Sequence, residues 1–196
     1  MMTFSESSRR RSRGSSPMSN SSPSRVHGTL VEVAEVGVLL LGRSGIGKSE
    51  CALELVMRGH RLVADDVILI SSGESGKPVG SSPDLVRHYI ELRGIGIVHV
   101  PSLFGTDSVA ERAEIELVVQ LEAWGSGEVE RMGLDPKTID VVGFELAALT
   151  LPVAPGRNVA SLVEVGARNH LLQKAGRSGV AELEDRVWLT LRRRDP

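Results

Sequence analysis

Eight consecutive residues carry the clearest chemical signal in this chain: Gly42-Arg43-Ser44-Gly45-Ile46-Gly47-Lys48-Ser49. Their spacing, G-x-x-x-x-G-K-S, is that of a Walker A phosphate-binding loop. Glycines let successive backbone N–H groups turn inward on an anion, Lys48 can reach β- and γ-phosphates as a point charge, and the Ser49 hydroxyl can hold Mg²⁺. A second candidate is the acidic pair Asp65-Asp66, which falls where such proteins aim a carboxylate toward Mg²⁺ or its water. Neighbouring strand residues point to opposite faces, so the two carboxylates are expected to take different roles. Glu91 and Arg93 are expected to share a strand face, and Gly94 and Gly96 after them suggest close approach of backbone. His27, at the start of a strand, carries no chemistry by itself.

The elements around these residues arrive in the order a phosphate loop needs. Val38–Leu41 is short and wholly apolar, as a buried parallel strand should be. After the loop, Ala52, Leu53, Leu55, Val56 and Met57 recur at helical spacing, and Arg58-Gly59 supplies a cationic last turn and a C′ glycine. Upstream, Thr29–Val33 reads as a strand that turns through Ala34–Gly37. Downstream, Arg61–Ala64 predicts a short strand ending at Asp65-Asp66, residues 71–83 a Ser/Gly/Pro-rich flexible link, and Pro83–Tyr89 a short helix. Glu91–Ile97 leads into another strand. In Glu114–Leu121 the residues Ile115, Leu117, Val119 and Leu121 are expected to face one way, which predicts a half-buried strand of antiparallel type and hence a mixed sheet. The chain turns at Gly125-Ser126-Gly127. A second Pro/Gly loop, Pro152–Asn158, opens a helix from Val159 to Lys174 that stops at Gly176. Val187, Leu189 and Leu191 alternate at the end, as an edge strand or a loose tail would.

Composition narrows the classes of partner. The 196 residues suit one domain, 24% are charged, the net charge is −2 and aromatics are 3%, so nothing in the balance calls for nucleic acid or a membrane. No run approaches the ~20 apolar residues of a membrane span. The single cysteine, Cys51, lies inside the helix after the loop and reads as a small buried thiol in a reducing cytoplasm. Residues 1–25 are mostly Ser and Arg and predict a disordered, solvated tail without the apolar core of a secretory signal.

Taken together, these residues resemble the catalytic domain of HPr kinase/phosphorylase, bacterial enzymes that phosphorylate a serine of the phosphocarrier protein HPr and can remove that phosphate. The resemblance spans about Val26 to Gly176. It rests on His27-Gly28, the loop Gly42–Ser49 with Glu50, and the run Arg58-Gly59-His60-Arg61-Leu62-Val63-Ala64-Asp65-Asp66. It continues through Glu91-Leu92-Arg93-Gly94-Ile95-Gly96-Ile97, Leu103-Phe104-Gly105, Arg131 with Gly133-Leu134, and Pro155-Gly156-Arg157-Asn158. The fold it implies is α/β: a P-loop nucleotide-binding fold with a mixed sheet, similar to the nucleotide part of phosphoenolpyruvate carboxykinase. Members commonly form hexamers and often carry an N-terminal domain, which this chain is expected to lack. Residues 177–196 are expected to be a C-terminal extension.

The resemblance further implies ATP and Mg²⁺ as cofactors and an HPr-like carrier protein as partner. Gly42, Arg43, Ser44, Gly45, Ile46, Gly47 and Lys48 would hold the phosphates, with Ser49 and Glu91 on the metal. Asp65 or Asp66, the family pointing to Asp66, would accept the serine proton. His27 would lie beside that pair, and Arg131, from its own or a neighbouring subunit, would stabilise charge on the transferring group. Pro152, Val153, Ala154, Pro155, Gly156 and Arg157 would form a loop serving dephosphorylation. Arg43 stands where relatives usually have an acid, and Ala154 where many have Arg, which predicts a weaker reverse reaction. Two alternatives stay open: a kinase of the same fold acting on another protein or a small molecule, and a nucleotide-sensing module.

Overall fold

The computed structural model describes residues 22–125 and 137–192. It opens with a hairpin of β1 (Ser24–Val33) and β2 (Val36–Leu41), paired antiparallel from Thr29↔Leu40 to Val33↔Val36. Ala34 and Glu35 between them both take positive φ, 50° and 70°, as a two-residue turn that follows the strand twist requires. Ser24 and Arg25 already pair with Ile70 and Leu69, so the strand starts inside the segment expected to be tail. Residues 1–21 of that tail lie outside the described residues.

β2 runs through the glycine loop into α1 (Lys48–Met57), whose N-cap is Gly47 in the left-handed region. Cys51, Ala52, Leu55 and Val56 form its buried face, and Gly59 at φ 91° closes it as expected. β3 then runs from Arg61 to Ser72, well past the acidic pair where the strand was expected to end. The reason is its partner: β1 is long enough to pair with it from Glu32↔Arg61 to Ser24↔Ile70, which carries the two aspartates inside the ladder.

The presumed flexible link contains a strand. β4 (Pro78–Ser81) pairs with β3 on one side and with β7 (Arg112–Ala123) on the other. Its Ser/Gly/Pro composition hid it, and Gly80 has a reason to be small: a Cβ there would lie 2.4 Å from Leu30 and 3.1 Å from both Ile68 and Ile115. Residues 84–86 form a single 3₁₀ turn rather than a helix. β5 (Tyr89–Leu92) and β6 (Gly96–His99) make a separate hairpin, followed by the short α2 (Val100–Phe104).

β7 is the hub of the sheet. It pairs parallel with β2 and with β9 (Phe144–Val153), while β8 (Lys137–Val141) lies antiparallel at the edge beyond β9. The seven strands run β2-β1-β3-β4-β7-β9-β8, and the extra pairing of β2 with β7 closes a ring through β1, β3, β4, β7 and β2. The mixed sheet is as expected, but β7, expected to be of antiparallel type, pairs parallel with β2 and β9 and antiparallel only with β4, and the closure of the sheet was not read from the chain. One core, with Leu30, Leu39, Ile68, Ile115 and Val118, is gathered from the strands of that ring and from β8 and β9. The other packs α1 and α3 (Val159–Lys174) against Val38, Leu40, Leu117, Val119 and Leu121.

The expected stripe on β7 is thus split. Register shifts by one residue between Gly37↔Ile115 and Val38↔Leu117, and this bulge turns Ile115 into the opposite core from Leu117, Val119 and Leu121. The last element, α4 (Gly179–Arg192), is a helix and not an edge strand. Val180, Leu183, Val187 and Leu191 repeat at helical spacing over the longer window, of which the alternation from 187 to 191 is a fragment. Ser178 accepts a hydrogen bond from the Ala181 N–H at its start. Among the described residues no helix is long and apolar enough to cross a membrane.

Candidate active site

Folding brings the glycine loop, the acidic pair and the β5–β6 hairpin to one polar cleft of about 150 Å³ at the N-terminus of α1. Its floor is Asp65, only 8% exposed. Thr29 Oγ1 donates to Asp65 Oδ1 at 2.7 Å, and Ser49 Oγ lies 3.0 Å from both carboxylate oxygens. The backbone N–H of Glu91 reaches Oδ2 at 3.3 Å. Burial pushes the Asp65 carboxyl above its ordinary value, and the hydrogen bonds from Thr29, Ser49 and the Glu91 amide pull against that rise.

Asp66 also lines the cleft but is solvent-exposed. Strand alternation would aim it away. Its φ of 65° breaks the alternation, a conformation that costs most residues energy and that Asp tolerates better than most. The two carboxylates line one cleft and differ in burial, not in the strand face they were expected to take. His27 Nδ1 stands 3.6 Å from Asp66 Oδ1, both side chains in solvent, close enough to share a bound group but longer than a hydrogen bond.

Lys48 Nζ donates to the carbonyls of Gly42 and Arg43, at 2.9 and 3.1 Å, so its ammonium is folded over the loop. Ile46 in the loop is buried, and its N–H bonds the Arg43 carbonyl at 3.3 Å. Arg93 comes to the same loop from the β5–β6 turn. Its guanidinium occupies the space a side chain at Gly45 would need, 2.6 Å from Nη2 to the would-be Cβ. Lys48 and Arg93 thus bring two cationic side chains to the glycine loop, in a cleft that also holds the Asp65 carboxylate.

With this geometry in hand the comparisons decide the family. The profile of the HPr Serine kinase C-terminal domain matches residues 19–187. The chain belongs to this family. Proteins called HPr kinase/phosphorylase are similar to it over most of its length. That of Geobacter sulfurreducens is 45% identical over 163 residues, 83% of this chain and 51% of its own. That of Thermoanaerobacter pseudethanolicus is 49% identical over 163 residues, 83% of this chain and 53% of its own. The chain thus spans about half the length of the curated relatives it matches. The solved structure of the Hpr(Ser) kinase/phosphatase from Coxiella burnetii superimposes with a TM-score of 0.73 at 37% identity, covering 78% of this chain and 93% of that one.

Within the family frame, the structure places the expected residues unequally. Lys48, Ser49, Asp65, Asp66 and Glu91 share the cleft, and His27 borders it through Asp66. Arg131 lies outside the described residues. Pro152 and Val153 are the last residues of β9, and Pro155-Gly156 form a tight turn closed by the Arg157 N–H on the Ala154 carbonyl at 3.1 Å. None of these loop residues lines the cleft. The Arg157 guanidinium sits 5.7 Å from the centre of the Trp124 ring. Thr29, Glu50 and Arg93 also line the cleft, although the sequence reading gave none of them a role there. Thr29 gives no signal inside an ordinary strand pattern, whereas Arg93 stood out by its spacing from Glu91. Cys51 is buried, and burial above all pushes its thiol up to about 12, so it is the inert core thiol expected.

Proposed function

We propose that this chain is an ATP-dependent kinase of the P-loop type, with a fold like the nucleotide part of phosphoenolpyruvate carboxykinase. Its substrate is a serine on an HPr-like carrier protein, and it can run in reverse with inorganic phosphate. One observation carries the reading: a buried carboxylate, Asp65, holds the Ser49 hydroxyl at 3.0 Å beneath Lys48, while a second, exposed carboxylate faces the same cleft. The first pair suits a metal–phosphate complex and the second suits a proton acceptor, which a mere sensor of nucleotide does not need.

The residues fit Mg²⁺ in the usual way for that ion. No three His, Cys, Asp or Glu side chains converge on a point among the described residues, so the protein would offer Ser49 and Glu91, with Asp65 behind, and leave the other positions to phosphate and water. A buried carboxylate with a raised pKa also gains from a neighbouring cation. When bound, the metal supplies charge neutralisation. The backbone of the glycine loop, Lys48 and Arg93 would hold the phosphates in line with the incoming hydroxyl. Asp66 accepts the serine proton as the new oxygen–phosphorus bond forms and ADP leaves. In reverse, a phosphate oxygen attacks the phosphoserine phosphorus and the bond to the serine oxygen breaks. Asp66 returns its proton to that oxygen, and pyrophosphate departs. His27 orients Asp66, and Arg131 would add positive charge at the transferring group.

The deciding experiment is incubation of the purified protein with labelled ATP, Mg²⁺ and an HPr from the same organism. Transfer of label to one serine of HPr is the expected result. Label on another acceptor from the same extract, with HPr untouched, would overturn the substrate assignment while leaving the kinase chemistry in place.

A further inference from the structure

The end of the Pro/Gly loop is tied into α1, the helix that begins with Lys48 and Ser49. Asn158 uses both ends of its amide. Its Oδ1 accepts from the Ser161 N–H at 2.7 Å, capping α3, and from Arg58 Nη2 at 3.2 Å, while its Nδ2 donates to Glu54 Oε1 at 2.6 Å. A backbone donor and a guanidinium can bind only the oxygen, and a carboxylate only the NH₂, so the network itself assigns the amide. Arg58 completes the link with Nη2 on Glu54 at 2.5 Å and Nη1 on Ser161 Oγ at 2.9 Å. The hydrogen bond from Asn158 above all holds the Glu54 carboxyl below its ordinary value, against desolvation by burial as the next effect and with Arg58 helping after it. Its charge is therefore in place at neutral pH.

Little chain separates this clamp from the loop's other anchor. The Trp124 N–H bonds the Val153 carbonyl at 3.0 Å, and Arg157 lies over the Trp124 ring. Ala154 to Arg157 is thus a short span fixed at both ends, and Arg157 is its only charged side chain. An anion held by so short a loop depends on where its ends are held.

We propose that Glu54 and Asn158, bridged by Arg58, are positioning residues that set the 154–157 loop for its phosphate-dependent role. The proposal rests on the reading that this loop serves the reverse reaction. It also gives the loop a fixed relation to α1, so that one helix supports the residues of both directions: Lys48 and Ser49 at its start, Glu54 and its C-cap Arg58 at its end.

Four single variants of the full chain test it: Glu54→Ala, Asn158→Ser, Glu54→Gln and Arg157→Ala. Serine at 158 can still cap α3 but its hydroxyl ends one bond short of the Nδ2 that reaches Glu54, and Gln at 54 can still accept from Asn158. Pyrophosphate release from phospho-HPr is measured across a phosphate titration, alongside inhibition of the forward reaction by inorganic phosphate, the KM for ATP and the melting temperature. Glu54→Ala and Asn158→Ser should raise the KM and Ki for phosphate about tenfold, with the forward kcat and KM for ATP within about threefold of the parent, as expected for an interaction used in one direction only. Glu54→Gln should stay near the parent. If Glu54→Ala and Asn158→Ser weaken both directions alike, or leave phosphate untouched while Arg157→Ala weakens it, the clamp has no positioning role although the loop keeps its own. If Arg157→Ala also leaves phosphate unaffected, the loop reading falls with it.

Discussion

Folding buries Asp65 under Thr29, Ser49 and the Glu91 amide and leaves Asp66 in solvent beside His27. Two measurable contrasts follow at the residue scale. Lys48→Ala should abolish nucleotide binding in a calorimetric titration, because it removes the ammonium that stands over the loop carbonyls. Asp66→Asn should bind ATP normally and lose about 10²–10⁴-fold in transfer in both directions, the usual share of a general base. Normal turnover by Asp66→Asn would move the base elsewhere. For Asp65 the contrast is in stability. Burial raises its carboxyl above its ordinary value, so the folded protein holds that proton more tightly than the unfolded chain. The stability owed to this group is then full below that value and is lost as pH rises through the raised one. Asparagine carries no such charge. The melting temperature of Asp65→Asn relative to the parent should therefore rise as the pH is raised from the ordinary carboxylate range toward neutral in metal-free buffer. A flat or falling difference would mean that the carboxylate is better satisfied when folded than its burial implies.

At the scale of elements, the β5–β6 hairpin matters because its turn delivers Arg93 to the glycine loop. Gly45, at φ 77°, has Arg93 where a Cβ would go. Alanine there is strained by its backbone and must displace the guanidinium. Arg93→Met should weaken binding of a nucleoside triphosphate by about 1.5–3 kcal/mol, the range for a hydrogen bond to a charged group. Gly45→Ala should weaken it as well. The double variant should fall short of the sum, since both act on one contact. Full additivity in titration calorimetry would show that Arg93 and the loop act independently. Composition misled at a neighbouring element. β4 reads as linker because it is short and carries Pro and Gly, yet it fills the gap between β3 and β7.

For the molecule as a whole, the closed ring of β1, β3, β4, β7 and β2 leaves little room inside. Gly80 meets Leu30, Ile68 and Ile115, one residue from each of three other strands. Gly80→Val should therefore destabilise by about 1–3 kcal/mol through overpacking, despite valine's preference for strands. Pairing it with Leu30→Ala should restore part of the loss relative to additivity, because the two changes share one space. Denaturant unfolding of the four proteins measures this, and a stable Gly80→Val variant would mean that the ring is open at β4.

The sequence by itself determined what is local. The glycine loop between an apolar strand and a helix, the helix stop at Gly59, and the Asn158 start and Gly176 stop of α3 all follow from turn chemistry, caps and periodicity within a few residues. The signature runs that mark the family are local as well. What depended on partners far along the chain was decided only in three dimensions. Asp65 became a floor and Asp66 a rim because β1 pairs across both and φ turns positive at the second. Ile115 left its expected face because Gly37 pairs out of step with it. The ring closed because β7, late in the chain, returned to β2. Loop 152–157 stayed out of the cleft, and Asn158 at its end was bound to Glu54, 104 positions earlier. Periodicity reports which face of an element is apolar. It carries no information on which distant segment will cover that face, and at this site the distant segments set burial, charge and reach.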